Sequence, residues 1–77
     1  MTKAQIKNYL VDTAVDEMTK YLIEDYNISI GDALDVIYNS ETFQKMGDAD
    51  TGLYIQSPLY IYELLNREYQ TGRLMPI

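Results

Sequence analysis

The chain contains no cysteine and no histidine. The first absence removes disulfides and thiolate metal sites together. The second removes the commonest transition-metal ligand. Both together exclude Ser-His and Cys-His nucleophile systems within this chain. The glycines form neither a phosphate-cradling loop nor a dinucleotide fingerprint. No apolar run approaches the roughly 20 residues needed to cross a bilayer. The opening stretch, MTKAQIKNYL, lacks the apolar core of a signal peptide, so a cytoplasmic location is expected.

Positive charge is also scarce. Six Lys and Arg stand against 12 Asp and Glu, for a net charge of −6. Nucleic-acid binding depends on bases that neutralise phosphates, so DNA and RNA are not expected partners. An anionic membrane surface is disfavoured for the same reason. A basic protein partner is electrostatically favoured.

With 77 residues the chain reads as a single helical domain, 1–77. A domain of this size buries only about 60% of its unfolded surface, so its core alone is marginal. Without disulfides, stability must come from efficient packing or from oligomerisation. The 47% apolar content is that of a chain that folds, not of a disordered acidic tail.

The longest helical pattern runs from Thr2 to Tyr26. Thr2 and Gln5 have the spacing of a capping box. Ile6, Leu10, Ala14, Met18, Tyr21 and Leu22 follow at helical spacing, and Val11, Val15 and Tyr26 widen the apolar arc. So broad an apolar face must be covered by other elements or by another chain. On the polar side, Asp16 and Lys20 are placed for an i,i+4 pair. Asp16, Glu17, Glu24 and Asp25 would be the carboxylates of a metal or acid–base site. A solvated face accounts for them more simply.

Asn27 fits a left-handed helix cap. Ser29 and Asp32 fit a second capping box, so a helix should start at Ile30. Its apolar positions are Ala33, Leu34, Val36, Ile37 and Tyr38, and it should end near Asn39. Ser40 is the next N-cap, with Glu41 in the first turn of a short helix that stops at Gly47. This pair of helices has helix-turn-helix spacing, but Glu41 and a single base, Lys45, are poor chemistry for a major groove.

Residues 47–52 form the clear loop. Counted as a calcium loop from Asp48, the chain places Gly52 fifth, Leu53 sixth and Leu59 twelfth, and all three break the pattern. A turn built on local hydrogen bonds explains the loop better. Leu53-Tyr54-Ile55 reads as a brief apolar stretch, extended in form. Ser57 and Pro58 then provide an N-cap and an N1 proline. Leu59, Tyr60, Ile61, Tyr62, Leu64, Leu65 and Tyr69 give the last helix a broad apolar face, and Glu63 and Arg67 are spaced to pair opposite it. Gly72 is the stop, and the tail beyond it is expected to fray.

The positive oddity is tyrosine. There are eight, against one phenylalanine and no tryptophan. Tyrosine is enriched at interface cores, and small helical domains also place it at core boundaries. Tyr60 and Tyr62 cannot share a direction on one helix. One should pack inward and the other face a partner or water. Tyr54, Tyr60, Tyr62 and Tyr69 are the candidate interface residues. Stacking on bases would require a basic groove that the composition does not supply.

Tyr38-Asn39-Ser40, then Asp50-Thr51-Gly52-Leu53-Tyr54, then Ser57-Pro58-Leu59-Tyr60-Ile61-Tyr62-Glu63-Leu64-Leu65 resemble the motifs of a family of very small bacterial proteins of unknown function. The resemblance covers roughly residues 20–72. Such genes are reported beside ADP-ribosyltransferase-like toxin genes, so it implies an antitoxin-like or accessory role. It supplies no catalytic residue.

The expected fold is an all-α bundle of three to four helices, about 2–26, 30–39, 41–46 and 58–71. The first should pack against the last, with the middle helices covering one side. The leading expected function is a non-enzymatic, acidic protein–protein interaction module without cofactors. Two alternatives are a self-assembling homodimer and a small carboxylate-based metal binder or enzyme.

Overall fold

Thr2 and Gln5 form the reciprocal cap their spacing predicts. The Thr2 hydroxyl accepts from the Gln5 amide at 3.1 Å, and the Gln5 side chain accepts from the Thr2 amide at 2.8 Å. From this cap the chain enters α1 (Lys3–Tyr26), followed by α2 (Ile30–Tyr38), α3 (Glu41–Gly47) and α4 (Pro58–Thr71). The computed structural model describes residues 2–72, so the tail expected to fray lies outside the described residues. No strand occurs among the described residues, and the chain is an all-α bundle. No helix among them is long and apolar enough to cross a membrane.

The expected serine N-caps form, although at Ser29 only the cap and not the reciprocal Asp32 half of the expected box is present. Ser29, Ser40 and Ser57 are extended, and each accepts from the amide three residues on, at 3.1, 3.0 and 3.2 Å. Each satisfies a donor that its helix cannot. Asn27 takes the left-handed conformation at φ 53°, which a short polar side chain tolerates. Gly72 ends α4 in the same way at φ 83°.

One stretch departs from expectation. Leu53–Ile55 is not extended but forms a 3-10 turn, just after another at Ala49–Thr51. No strand is present to pair an extended segment. The backbone instead closes on itself, with Ile55 N–H donating to Gly52 at 3.2 Å and Gln56 N–H to Leu53 at 3.0 Å. The geometry changes which side chains face inward. Leu53 and Ile55 would share a face in a strand. At about three residues per turn they diverge. Leu53 is buried and Ile55 is 65% exposed.

α1 and α4 pack side by side in the same sense. Tyr21 meets Tyr62 with ring centroids 4.9 Å apart, and five residues further along Tyr26 meets Tyr69 at 4.8 Å. Parallel neighbours need a crossover, and α2, α3 and the 3-10 turns supply it. α1 has 24 residues, hence a length of about 36 Å, whereas the 14 residues of α4 reach only about 21 Å. α4 therefore leaves the first turns of α1 uncovered. Ile6, expected to face inward, is 43% exposed, and Leu10 is half-buried.

The core gathers Ala14, Val15, Met18 and Leu22 of α1, Ala33 and Ile37 of α2, Met46 of α3, Leu53, and Ile61, Tyr62 and Leu65 of α4. Each fully buried Leu, Ile or Met contributes about 1.5–3 kcal/mol. Tyr38, expected on the inner face of α2, is 53% exposed and packs edge-on against Phe43 at 5.0 Å. Among the described residues the buried polar side chains are Ser40 and Thr42, and both are bonded. Among the described residues no buried side-chain polar atom lacks a partner.

Candidate interaction surface

The expected interface tyrosines separate into three situations. Tyr62 faces inward and is 5% exposed, so it is corrected from a candidate interface residue to a core residue. Its position one helical step from Ile61 turns it into the α1–α4 contact. Its ring lies on Tyr21, and its hydroxyl donates to Asp25 Oδ2 at 2.6 Å. Burial, then the Asp25 hydrogen bond and charge, push its phenol well above the usual range. Tyr60 is the outward member of the pair, 48% exposed.

Tyr69 is half in contact. It is 40% exposed and packs edge-to-face on Tyr26. The Tyr26 hydroxyl donates to Asn66 Oδ1 and accepts from Gln70 Nε2 at 3.3 Å. This polar cluster ties the end of α1 to the end of α4. Tyr54 is half-buried under the Lys7 ammonium, which stands 6.0 Å from its ring centroid and donates to the Gly47 carbonyl.

Around Tyr54 and Tyr60 the structure adds Ile55 and Leu59, 65% and 52% exposed. Neither is among the expected interface residues: the spacing puts Leu59 on the apolar face of the last helix opposite Glu63, and its exposure corrects that placement. The signal for Leu59 was present in Glu63, four residues on, which belongs to the same outward side of α4. Ile55 could not be found while the segment was read as extended. Ile55, Leu59 and Tyr60 are thus all exposed within six residues, at the elbow of the chain where the 3-10 turn leads into α4.

The elbow rests on a closely bonded loop. The single Thr51 hydroxyl proton is shared between the Lys45 and Asp48 carbonyls, at 2.6 and 2.9 Å, and the oxygen accepts from the Leu53 amide at 3.2 Å. The Asp48 carboxylate accepts from the Asp50 amide at 3.0 Å. Gly52 sits at φ 65°, a conformation that costs a side-chain-bearing residue. The two loop acids serve as a local cap and a turn residue. Among the described residues no three His, Cys, Asp or Glu are grouped to hold a metal.

Of the α1 carboxylates, Asp25 is engaged by the Tyr62 hydroxyl, whereas Asp12, Asp16 and Glu24 are exposed. Lys20 pairs with Glu17 at 3.7 Å, not with Asp16 as expected. Residues three and four apart are both neighbours on a helix, and a pair this exposed contributes little. It is the one ion pair among the described residues, so the expected Glu63–Arg67 pair is absent.

A cleft of about 190 Å³ opens between α2 and α4, lined in part by Val36, Leu65, Glu68 and Tyr69. Its charged member is already engaged. Glu68 accepts from the Glu41 amide at 2.8 Å, the Thr42 amide at 3.0 Å and the Thr42 hydroxyl at 2.8 Å. A shallow groove elsewhere runs past Glu41, Gln44, Lys45 and Asp48.

Comparison of the chain with protein-family models, curated proteins and solved structures gave no match. The toxin-linked expectation thus rests on the sequence motifs alone.

Proposed function

We propose that this chain is a non-enzymatic interaction module that binds a basic partner protein. The observation that carries this is the elbow: Ile55, Leu59 and Tyr60 stand exposed within one short segment of a chain with net charge −6. Exposed apolar side chains held together on a bonded scaffold are a feature of protein-binding surfaces. The small cleft, its engaged carboxylate and the lack of His and Cys support a role without catalysis. An antitoxin-like or accessory role, as the motif resemblance implies, is one form this module would take. Affinity capture at low and physiological salt tests the proposal. A stoichiometric basic protein, released as salt rises, is the expected result. Repeated recovery of the bait alone counts against it.

A further inference from the structure

We infer that the elbow formed by Ile55, Leu59 and Tyr60 is a docking surface for an apolar segment flanked by Lys or Arg on the partner, and not for a second copy of this chain. This deepens the proposed function and rests on it. The elbow's surroundings decide between the two occupants. No Lys or Arg occurs in residues 46–66. Asp48, which caps the first 3-10 turn, and Asp50 within it are exposed, and this turn immediately precedes and contacts the turn that carries Ile55. Glu63 is exposed on α4 at three and four residues from Tyr60 and Leu59, the spacing of helix-surface neighbours. The stretch that carries the apolar side chains, residues 46–66, thus holds three acids and no base.

The nearest bases leave the balance acidic: Arg67, exposed on α4, lies one turn beyond Glu63 and about two turns from Tyr60 and Leu59, a single positive charge against the three acids. Lys7 is held by the Gly47 carbonyl and the Tyr54 ring. Lys45 lies in the groove between Glu41 and Asp48.

A two-fold dimer through the elbow would set the same patch against itself. Asp48, Asp50 and Glu63 of one copy would then be brought towards the same three acids of the other. Like charges brought together there oppose association, whereas Lys or Arg at the partner's rim would pair with them. These acids thus select a basic segment with apolar side chains at its centre. The bonded loop holds the elbow in place before binding, which lowers the ordering cost.

The test uses the purified full chain, labelled with ¹⁵N, and two synthetic amphipathic peptides. One carries leucines flanked by lysines, and the other carries the same leucines flanked by glutamates. Amide shifts locate the site, and titration gives its affinity. The lysine peptide should shift amides in 48–63 and bind, while the glutamate peptide should not. The double substitution Leu59→Ser, Tyr60→Ser should weaken lysine-peptide binding by about tenfold or more, as loss of a central contact does. Both side chains are exposed, and an unchanged helical circular dichroism spectrum verifies that the variant is folded. Asp12→Asn, Asp16→Asn on α1, which removes two charges elsewhere, should leave binding within about twofold.

Equal loss in both variants, or shifts spread over α1 and α2, would overturn the elbow while leaving an acidic module in place. Absence of binding by the wild-type chain at low salt would remove the acidic-module proposal along with it. Concentration-dependent shifts at the elbow without peptide would show that a second copy is the occupant.

Discussion

Glu68 of α4 is the external N-cap of Thr42 in α3. Its carboxylate accepts from the Thr42 amide at 3.0 Å and the Thr42 hydroxyl at 2.8 Å, with the Glu41 amide on its other oxygen at 2.8 Å. The anion lies at the positive end of a short helix, where both charge and hydrogen bonding favour it. Ser40 satisfies the next donor, the Phe43 amide. A helix of seven residues has little stability of its own, so this contact anchors it to the bundle.

Glu68→Ala leaves the buried Thr42 hydroxyl and its amide without their partner. The expected loss is about 1–3 kcal/mol, the cost of stranding such groups. Glu68→Gln, which can still accept, should lose less. Urea unfolding midpoints for the two variants check the order as well as the size.

Tyr62 carries the pH dependence. Its phenol is raised by burial first and by Asp25 second. Its hydroxyl binds the proton more tightly in the folded chain than in the unfolded one. The resulting stability is complete below the unfolded value, about 10, and is lost as pH rises through the folded value. Within that window the loss approaches about 1.4 kcal/mol per pH unit. Tyr62→Phe should cost about 1 kcal/mol at neutral pH for the lost hydrogen bond. It should also flatten the decline in stability above pH 10 relative to wild type. Denaturation midpoints measured from neutral to alkaline pH give both quantities.

Much of this fold was legible because it is written in local chemistry. Thr2, Ser29, Ser40 and Ser57 announce helix starts, and Asn27 and Gly72 announce ends. All four helices begin and end within about one residue of the expected bounds, since caps act within a single turn. What failed depended on partners distant in sequence. Ile55 faces out because no strand pairs with its segment, and Ile6 is exposed because α4 is shorter than α1. Lys20 selects Glu17 over Asp16 among two allowed neighbours, a choice that spacing alone does not make. Of the four tyrosines, the alternation of Tyr60 and Tyr62 was readable, but which one turns inward depended on where Tyr21 and Asp25 lie.

The glycines separate backbone strain from crowding. A Cβ at Gly52 or Gly47 would meet nothing within 4 Å. Of these two, only Gly52 has positive φ, at 65°. Gly52→Ala should therefore destabilise by about 1–2 kcal/mol through the backbone alone. Gly47→Ala, at the end of α3, should be neutral or stabilising by up to about 1 kcal/mol. Thermal melts of the two variants should move apart, with Gly52→Ala lower.

Met18 and Leu22 are fully buried where α1 meets the rest of the core. Met18→Ala should cost about 2–5 kcal/mol. For a domain of this size, with a core contribution of about 3–5 kcal/mol, that loss approaches the total. The variant should show reduced helical circular dichroism at 25 °C and a flattened thermal transition.

The most direct measurement of the central proposal is a paired capture from the native host's lysate. Wild-type chain and the Leu59→Ser, Tyr60→Ser variant serve as baits at low and physiological salt. The account predicts one stoichiometric basic protein on the wild-type bait, weakened by salt and lost from the variant. The same protein held equally by both baits, or bait alone from both, would contradict it.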